Sequence, residues 1–134
     1  ALARAGAAEV FVVNRTADKA ERAAALAGPV GRVAPPEAVA DADLVVNATS
    51  LGMRGEGGSP VDAERLGAGQ VVADLVYEPL VTELLTAARA RGARPVDGVG
   101  MLVHQAARAF TRWTGEAAPV DAMQTAARQQ LDAG

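Results

Sequence analysis

The sequence predicts an α/β domain built on a doubly wound sheet of parallel strands, and three observations carry that prediction. Short β-branched apolar runs alternate with Ala- and Leu-rich helical stretches along the chain. The connections between those runs are long enough for the right-handed crossovers that parallel strands require. The clearest strands also end in small polar clusters, at the carboxyl ends where open α/β sheets bind their ligands. With 134 residues, half of them hydrophobic and only 3% aromatic, the chain has the size of one domain whose layers of Ala, Val and Leu pack closely.

Taken in order, residues 1–8 read as the last turns of a helix closed by Gly6 at its C-terminal cap. Glu9–Val13 suits a buried parallel strand. Thr16 offers an N-cap hydroxyl to an Ala-rich helix over Ala17–Ala27, stopped by Gly28-Pro29. Val30–Val33 reads as a short strand and Pro35–Ala40 as a single helical turn opened by proline. Asp43–Ala48 is a second clear strand, and Gly52–Pro60, with four glycines, is a loop. Gln70–Leu75 is the third strong strand. A helix over Pro79–Ala90 sets Leu80, Leu84, Leu85 and Ala88 on one face and ends at Gly92. Arg94–Val96 is a last short strand, followed by helices over Met101–Trp113 and Pro119–Leu131.

Composition narrows the function classes. The net charge of −3 carries no electrostatic footprint for nucleic acid, and no basic cluster faces an anionic membrane. The absence of cysteine rules out disulfides, thiol catalysis and zinc–thiolate sites, and a single histidine rules out a multi-histidine metal centre. No apolar run approaches the roughly 20 residues of a membrane span. The expectation is a soluble cytoplasmic protein.

Four segments fall on the rim that the fold rule selects. In the first, Asn14-Arg15-Thr16 is followed by Lys19, one helical turn after Arg15. An NAD site usually has Asp or Glu at this strand end to accept from the ribose 2′-hydroxyl. A neutral Asn14 with two cations beside a helix N-terminus suits the 2′-phosphate of NADP instead, against the alternative of a solvated surface pair. The second, Asn47-Ala48-Thr49-Ser50-Leu51-Gly52-Met53, lets backbone approach a ring or ribose, and is equally ordinary turn chemistry. The third, Asp74-Leu75-Val76-Tyr77-Glu78-Pro79, holds the only tyrosine; Asp74 reads as a brace between strands, and a structural hydrogen bond is the default for Tyr77. In the fourth, Asp97-Gly98-Val99-Gly100-Met101-Leu102-Val103-His104-Gln105, two glycines enter a helix on which Met101 and Gln105 share a face. His104 lies off that face and reads as incidental.

No GxGxxG or GxGxxA sequence occurs. The pattern is therefore that of a Rossmann-like domain truncated at its N-terminus, its first strand and glycine-rich loop expected upstream of Ala1. In the strand order 3-2-1-4-5-6 that first strand lies between the strands read at Glu9–Val13 and Asp43–Ala48.

Together these segments resemble shikimate dehydrogenase, in order and spacing, from about Gly6 to Gly115. The Asn-Arg-Thr motif is shared with other NADP-binding families; the Asn47–Met53 loop and the Asp97–Gln105 segment are more specific. The resemblance implies that Asn14, Arg15, Thr16 and Lys19 hold the adenosine 2′-phosphate, with Lys19 where many members have arginine. It implies that Thr49 and Ser50 line the nicotinamide side, and that Leu75, Gly98 and Met101 contact the cofactor. Tyr77 and Gln105 would reach the substrate. The implied reaction is NADP-dependent, reversible reduction of 3-dehydroshikimate to shikimate in aromatic amino-acid biosynthesis. Residues 1–100 would form the partial cofactor domain, and 101–134 helices that pack back toward an N-terminal substrate domain. The family's catalytic lysine and its partner aspartate lie in that other domain. Lys19 is the only lysine here, so no catalytic residue is expected on this chain and the chain alone is expected to be inactive. A quinate/shikimate-type dehydrogenase with another cyclic substrate, or a non-catalytic NADP-binding module, are the alternatives. The full-length protein is expected as a monomer or homodimer.

Overall fold

The computed structural model describes residues 1–55 and 57–132, and the chain divides after Asp41 into two compact units. In the first, strand β1 (Val10–Val12) pairs in parallel with β2 (Gly31–Val33), and helix α1 (Ala17–Ala25) connects them. α1 packs through small residues: Ala20 and Ala24 are its buried positions, and a Cβ on Gly31 would run into the Ala24 carbonyl oxygen. Glycine is what allows that helix and strand to close. β1 corrects the expectation of a buried strand. It has one neighbour in a two-stranded sheet, and Phe11 keeps 41% of its surface exposed. The N-terminal helix end is a single 3₁₀ turn, Ala3–Ala5, closed by Gly6 in the left-handed conformation as expected. The turn after Pro35 is likewise 3₁₀, Pro36–Asp41.

The second unit carries a three-stranded parallel sheet in the order β3 (Leu44–Asn47), β4 (Val71–Asp74), β5 (Arg94–Val96). Its helices are α2 (Glu83–Ala90), α3 (Val99–Thr114) and α4 (Val120–Asp132). Alternation along β4 sends Val72 and Asp74 inward, and α2 covers the sheet with Leu84, Leu85 and Ala88. Val45, Leu66, Val76, Ala93, Val99, Val103 and Ala107 complete that core among the described residues. Burying an aliphatic side chain of this size is worth about 1.5–3 kcal/mol.

Two expectations change here. α2 starts at Glu83 rather than Pro79, because Thr82 is fixed as its N-cap by accepting from the Leu85 N–H (3.3 Å). Leu80 therefore lies outside the helix. The strands form two sheets, β1-β2 and β3-β4-β5. These are the neighbour sets that the order 3-2-1-4-5-6 predicts for its second to sixth strands, and its first strand has no counterpart among the described residues. The predicted loop 52–60 contains a 3₁₀ turn, Met53–Gly55, while residue 56 lies outside the described residues.

Candidate functional site

Within the first unit, Asn14, Arg15, Thr16 and Lys19 form an exposed patch at the start of α1. Asn14 turns back on the chain: its Oδ1 accepts from the Thr16 N–H at 2.8 Å. This Asx turn carries the chain from β1 into α1. Thr16 occupies the N-cap, but its hydroxyl makes no capping hydrogen bond, contrary to expectation; Asn14 already takes the Thr16 N–H and sets the turn. Arg15 and Lys19 form no ion pair among the described residues. Asp18 is the one acid between Asn14 and Ala20, so the segment keeps a net positive charge.

The second unit gathers its polar residues at the carboxyl ends of β3 and β4, around the buried Asp74. Asp74 Oδ1 accepts from Asn47 Nδ2 (2.9 Å) and from the Val76 N–H (3.0 Å), and Oδ2 accepts from the Thr82 hydroxyl (2.7 Å). Asp74 is 1% exposed, and Asn47 and Thr82 are each 2% exposed. A buried carboxylate is tolerated only when its oxygens are satisfied, and here three neutral donors do so. Asn47 passes the order outward. Its Oδ1 accepts from both the N–H (2.9 Å) and the hydroxyl (2.8 Å) of Thr49, whose oxygen in turn accepts from the Leu51 N–H (3.2 Å). The loop that carries Thr49 and Ser50 is thereby tied to the sheet. Asp74 is the brace that the sequence predicts; Thr82, its partner across eight residues, was hidden by the helix start read at Pro79.

Beyond this network the predicted residues range from exposed to buried, Gly98 being buried. Thr49 and Ser50 are exposed, and Leu75 and Tyr77 are half-buried. The Tyr77 hydroxyl has no hydrogen-bond partner among the described residues, which overturns the structural default. Tyr77 lines a small cavity with Met53, Arg54 and Glu78, where the Arg54 N–H donates to the Glu78 carbonyl (2.8 Å) from a left-handed backbone (φ 54°). Gly98 sits against the end of β4: a Cβ there would meet the Leu75 and Val76 carbonyl oxygens at 2.6 Å. Met101 and Gln105, one turn apart on α3, are both exposed. Asp97 caps the entry to α3 by accepting from the Val99 N–H (3.1 Å) and pairs with Arg128 of α4 (3.1 Å). Sequence carries no signal for that pair, since its members are 31 residues apart.

An open groove of about 640 Å³ between α3 and α4 is lined by His104, Arg108, Arg112 and Val120 among others, and by none of the predicted site residues. Among the described residues no group of three or more His, Asp or Glu could hold a metal ion, and no helix is long and apolar enough to cross a membrane.

Comparison with known proteins finds similar sequences and structures. Residues 98–128 match the shikimate 5′-dehydrogenase C-terminal domain. A shikimate dehydrogenase (NADP(+)) of Methylobacterium radiotolerans is 50% identical over 118 residues, covering 85% of this chain and 42% of that protein. One from Halobacterium salinarum is 47% identical over 133 residues, covering 98% of this chain and 50% of that protein. Among solved structures, shikimate 5-dehydrogenase from Thermus thermophilus in complex with NADP(H) and shikimate superposes with a TM-score of 0.86 at 40% identity, over 96% of this chain and 48% of that one. Quinate dehydrogenase from Corynebacterium glutamicum in complex with NAD gives 0.84 at 33% identity, over 92% and 47%. The chain thus spans half or less of the length of these relatives, and the α/β fold read from the sequence is the one they share.

Proposed function

From its homology to the shikimate dehydrogenases over nearly its whole length, we propose that this chain is the NADP-binding part of an enzyme that interconverts 3-dehydroshikimate and shikimate. The observation that carries the cofactor choice is the pair Arg15 and Lys19, without an ion-pair partner among the described residues, at the start of α1 where an NAD site would present an acid. Their charges, with a Thr16 hydroxyl that makes no capping bond and the helix N-terminus, fit a dianionic phosphate. Asn14 shapes the turn that presents them.

In this reading the second unit serves the nicotinamide end. Thr49 and Ser50, held by Asn47, line it; Leu75 and Met101 supply apolar contact, and Gly98, buried against the end of β4, meets the ring through its backbone. Tyr77 and Gln105 orient the substrate, the first through a hydroxyl with no partner among the described residues. The bound nicotinamide supplies a hydride acceptor or donor. This chain's residues bind and orient; none of them holds the transferred proton, which falls to residues on the remainder of the protein. Residues 1–100 form the cofactor part, and 101–134 return toward the substrate-binding half. The intact protein is read as cytoplasmic, monomeric or homodimeric.

Titration of the intact protein tests the cofactor assignment. Arg15→Ala is expected to weaken NADPH binding by about 1.5–3 kcal/mol, the scale of a charge-assisted hydrogen bond, and to leave NADH nearly unchanged. Equal losses for both would reject it. Gln105→Ala is expected to raise KM for the shikimate-type substrate, at a cost of about 0.5–3 kcal/mol, with NADP affinity intact. A rise in the cofactor KM instead would place Gln105 on the wrong side of the site.

A further inference from the structure

The turn that enters α3 is fixed from two directions. On one side Gly98 packs against the Leu75 and Val76 carbonyls at the end of β4, so close that no side chain fits. On the other, Asp97 is anchored by α4. Arg128 brings one guanidinium nitrogen, Nη2, to 3.1 Å from Oδ2 and 3.4 Å from Oδ1, while Oδ1 also accepts from the Val99 N–H at 3.1 Å. The carboxylate therefore joins the first turn of α3 to a helix that begins more than twenty residues later. It is 28% exposed and Arg128 is 44% exposed, a pair only partly screened by water. Arg128 stands far along the chain from every residue assigned to the cofactor.

We propose that Arg128 is a positioning residue for the nicotinamide end of the site, acting through Asp97 to set the angle at which α3 presents Gly98 and Met101. The inference rests on the NADP reading above. It makes the C-terminal helix a part of the cofactor site without any contact of its own. Removing the guanidinium leaves the Asp97 carboxylate bonded only to the Val99 N–H among the described residues, and the turn at Gly98 held from the β4 side alone.

The test compares two probes on the intact protein: NADPH, which carries both the 2′-phosphate and the nicotinamide, and 2′,5′-ADP, which carries the 2′-phosphate and lacks the nicotinamide. Arg128→Ala is expected to weaken NADPH roughly three- to tenfold, as loss of a half-exposed charged hydrogen bond would, and to leave 2′,5′-ADP unchanged. Arg128→Lys, which keeps the charge, is expected to restore most of the loss. Asp97→Asn keeps an acceptor for the Val99 N–H and is expected to reproduce the NADPH loss. Combining it with Arg128→Ala should add nothing further. If Arg128→Ala fails to fold, the Asp97→Asn and Arg128→Lys proteins carry the same comparison. Equal losses for the two probes, or a lowered melting temperature with NADPH affinity unchanged, would overturn the proposal. An unsubstituted protein that bound neither probe would defeat the NADP reading itself, and this proposal with it.

Discussion

Thr16 and Thr82 hold the same position in the two units, each the N-cap of a helix that follows a parallel strand, and they are used in opposite ways. Thr82 is buried, accepts from the Leu85 N–H and donates to Asp74. Thr16 is exposed and its hydroxyl bonds to nothing in the helix it begins. The surroundings follow the same division. The second unit encloses a polar network beneath its strand ends, whereas the buried residues of α1 in the first are two alanines. On the function proposed above, the two units serve two kinds of recognition. A phosphate is captured by charge that can adjust, and needs exposed cations on a light scaffold. A planar ring and a hydroxylated substrate need contacts held to a fraction of an ångström, and those require a buried brace.

The brace is where the largest effect is expected. Asp74→Ala removes the acceptor for three donors at once and leaves Asn47, Thr82 and the Val76 N–H buried without it. A cost of about 2–4 kcal/mol in stability is expected, read from denaturant unfolding. Loss of hydrogen-exchange protection should centre on residues 71–76. A change below about 0.5 kcal/mol would show that the network is decoration and that the contrast between the units is false.

Thr82→Ala should cost less, about 1–2 kcal/mol, because it removes one cap and one of the three bonds to Asp74. Thr82→Ser keeps the hydroxyl and is expected to recover most of it. Serine performing no better than alanine would mean that the methyl group's packing, rather than the hydroxyl, is what the position needs.

Much of this contrast was legible in the sequence, for reasons that differ between residues. The strands were legible because Leu44-Val45-Val46 and Val71–Asp74 are apolar runs bounded by turn residues, and Asp74 as a brace because an acid at a buried strand end must find donors. The positions of Arg15 and Lys19 followed from their place after a strand. The identity of the α2 cap did not, since a proline two residues upstream of Val81 is also a good helix opener and the decision belongs to Asp74, which reaches Thr82 only in the fold. Whether the Tyr77 hydroxyl has a hydrogen-bond partner is likewise not legible, because it depends on residues far along the chain. The Asp97–Arg128 pair joins segments with no common pattern, and only packing brings them together.

The smallest effect expected is at Thr16. An N-cap threonine replaced by alanine usually costs about 1 kcal/mol, because its oxygen satisfies a helix N–H. Here the oxygen satisfies none, and the turn is already fixed by Asn14 Oδ1 accepting from the Thr16 N–H, a bond that alanine keeps. Thr16→Ala should therefore shift stability by less than about 0.5 kcal/mol, the opposite of Thr82→Ala at the matching position. Binding should respond where stability does not: 2′,5′-ADP is expected to weaken on loss of a hydroxyl that is free to donate to a phosphate, and NADH to stay as it was. A full capping penalty in thermal unfolding, with 2′,5′-ADP binding untouched, would make Thr16 a structural cap after all. The two threonines would then do the same work, and the first unit would have no claim to be built around a ligand.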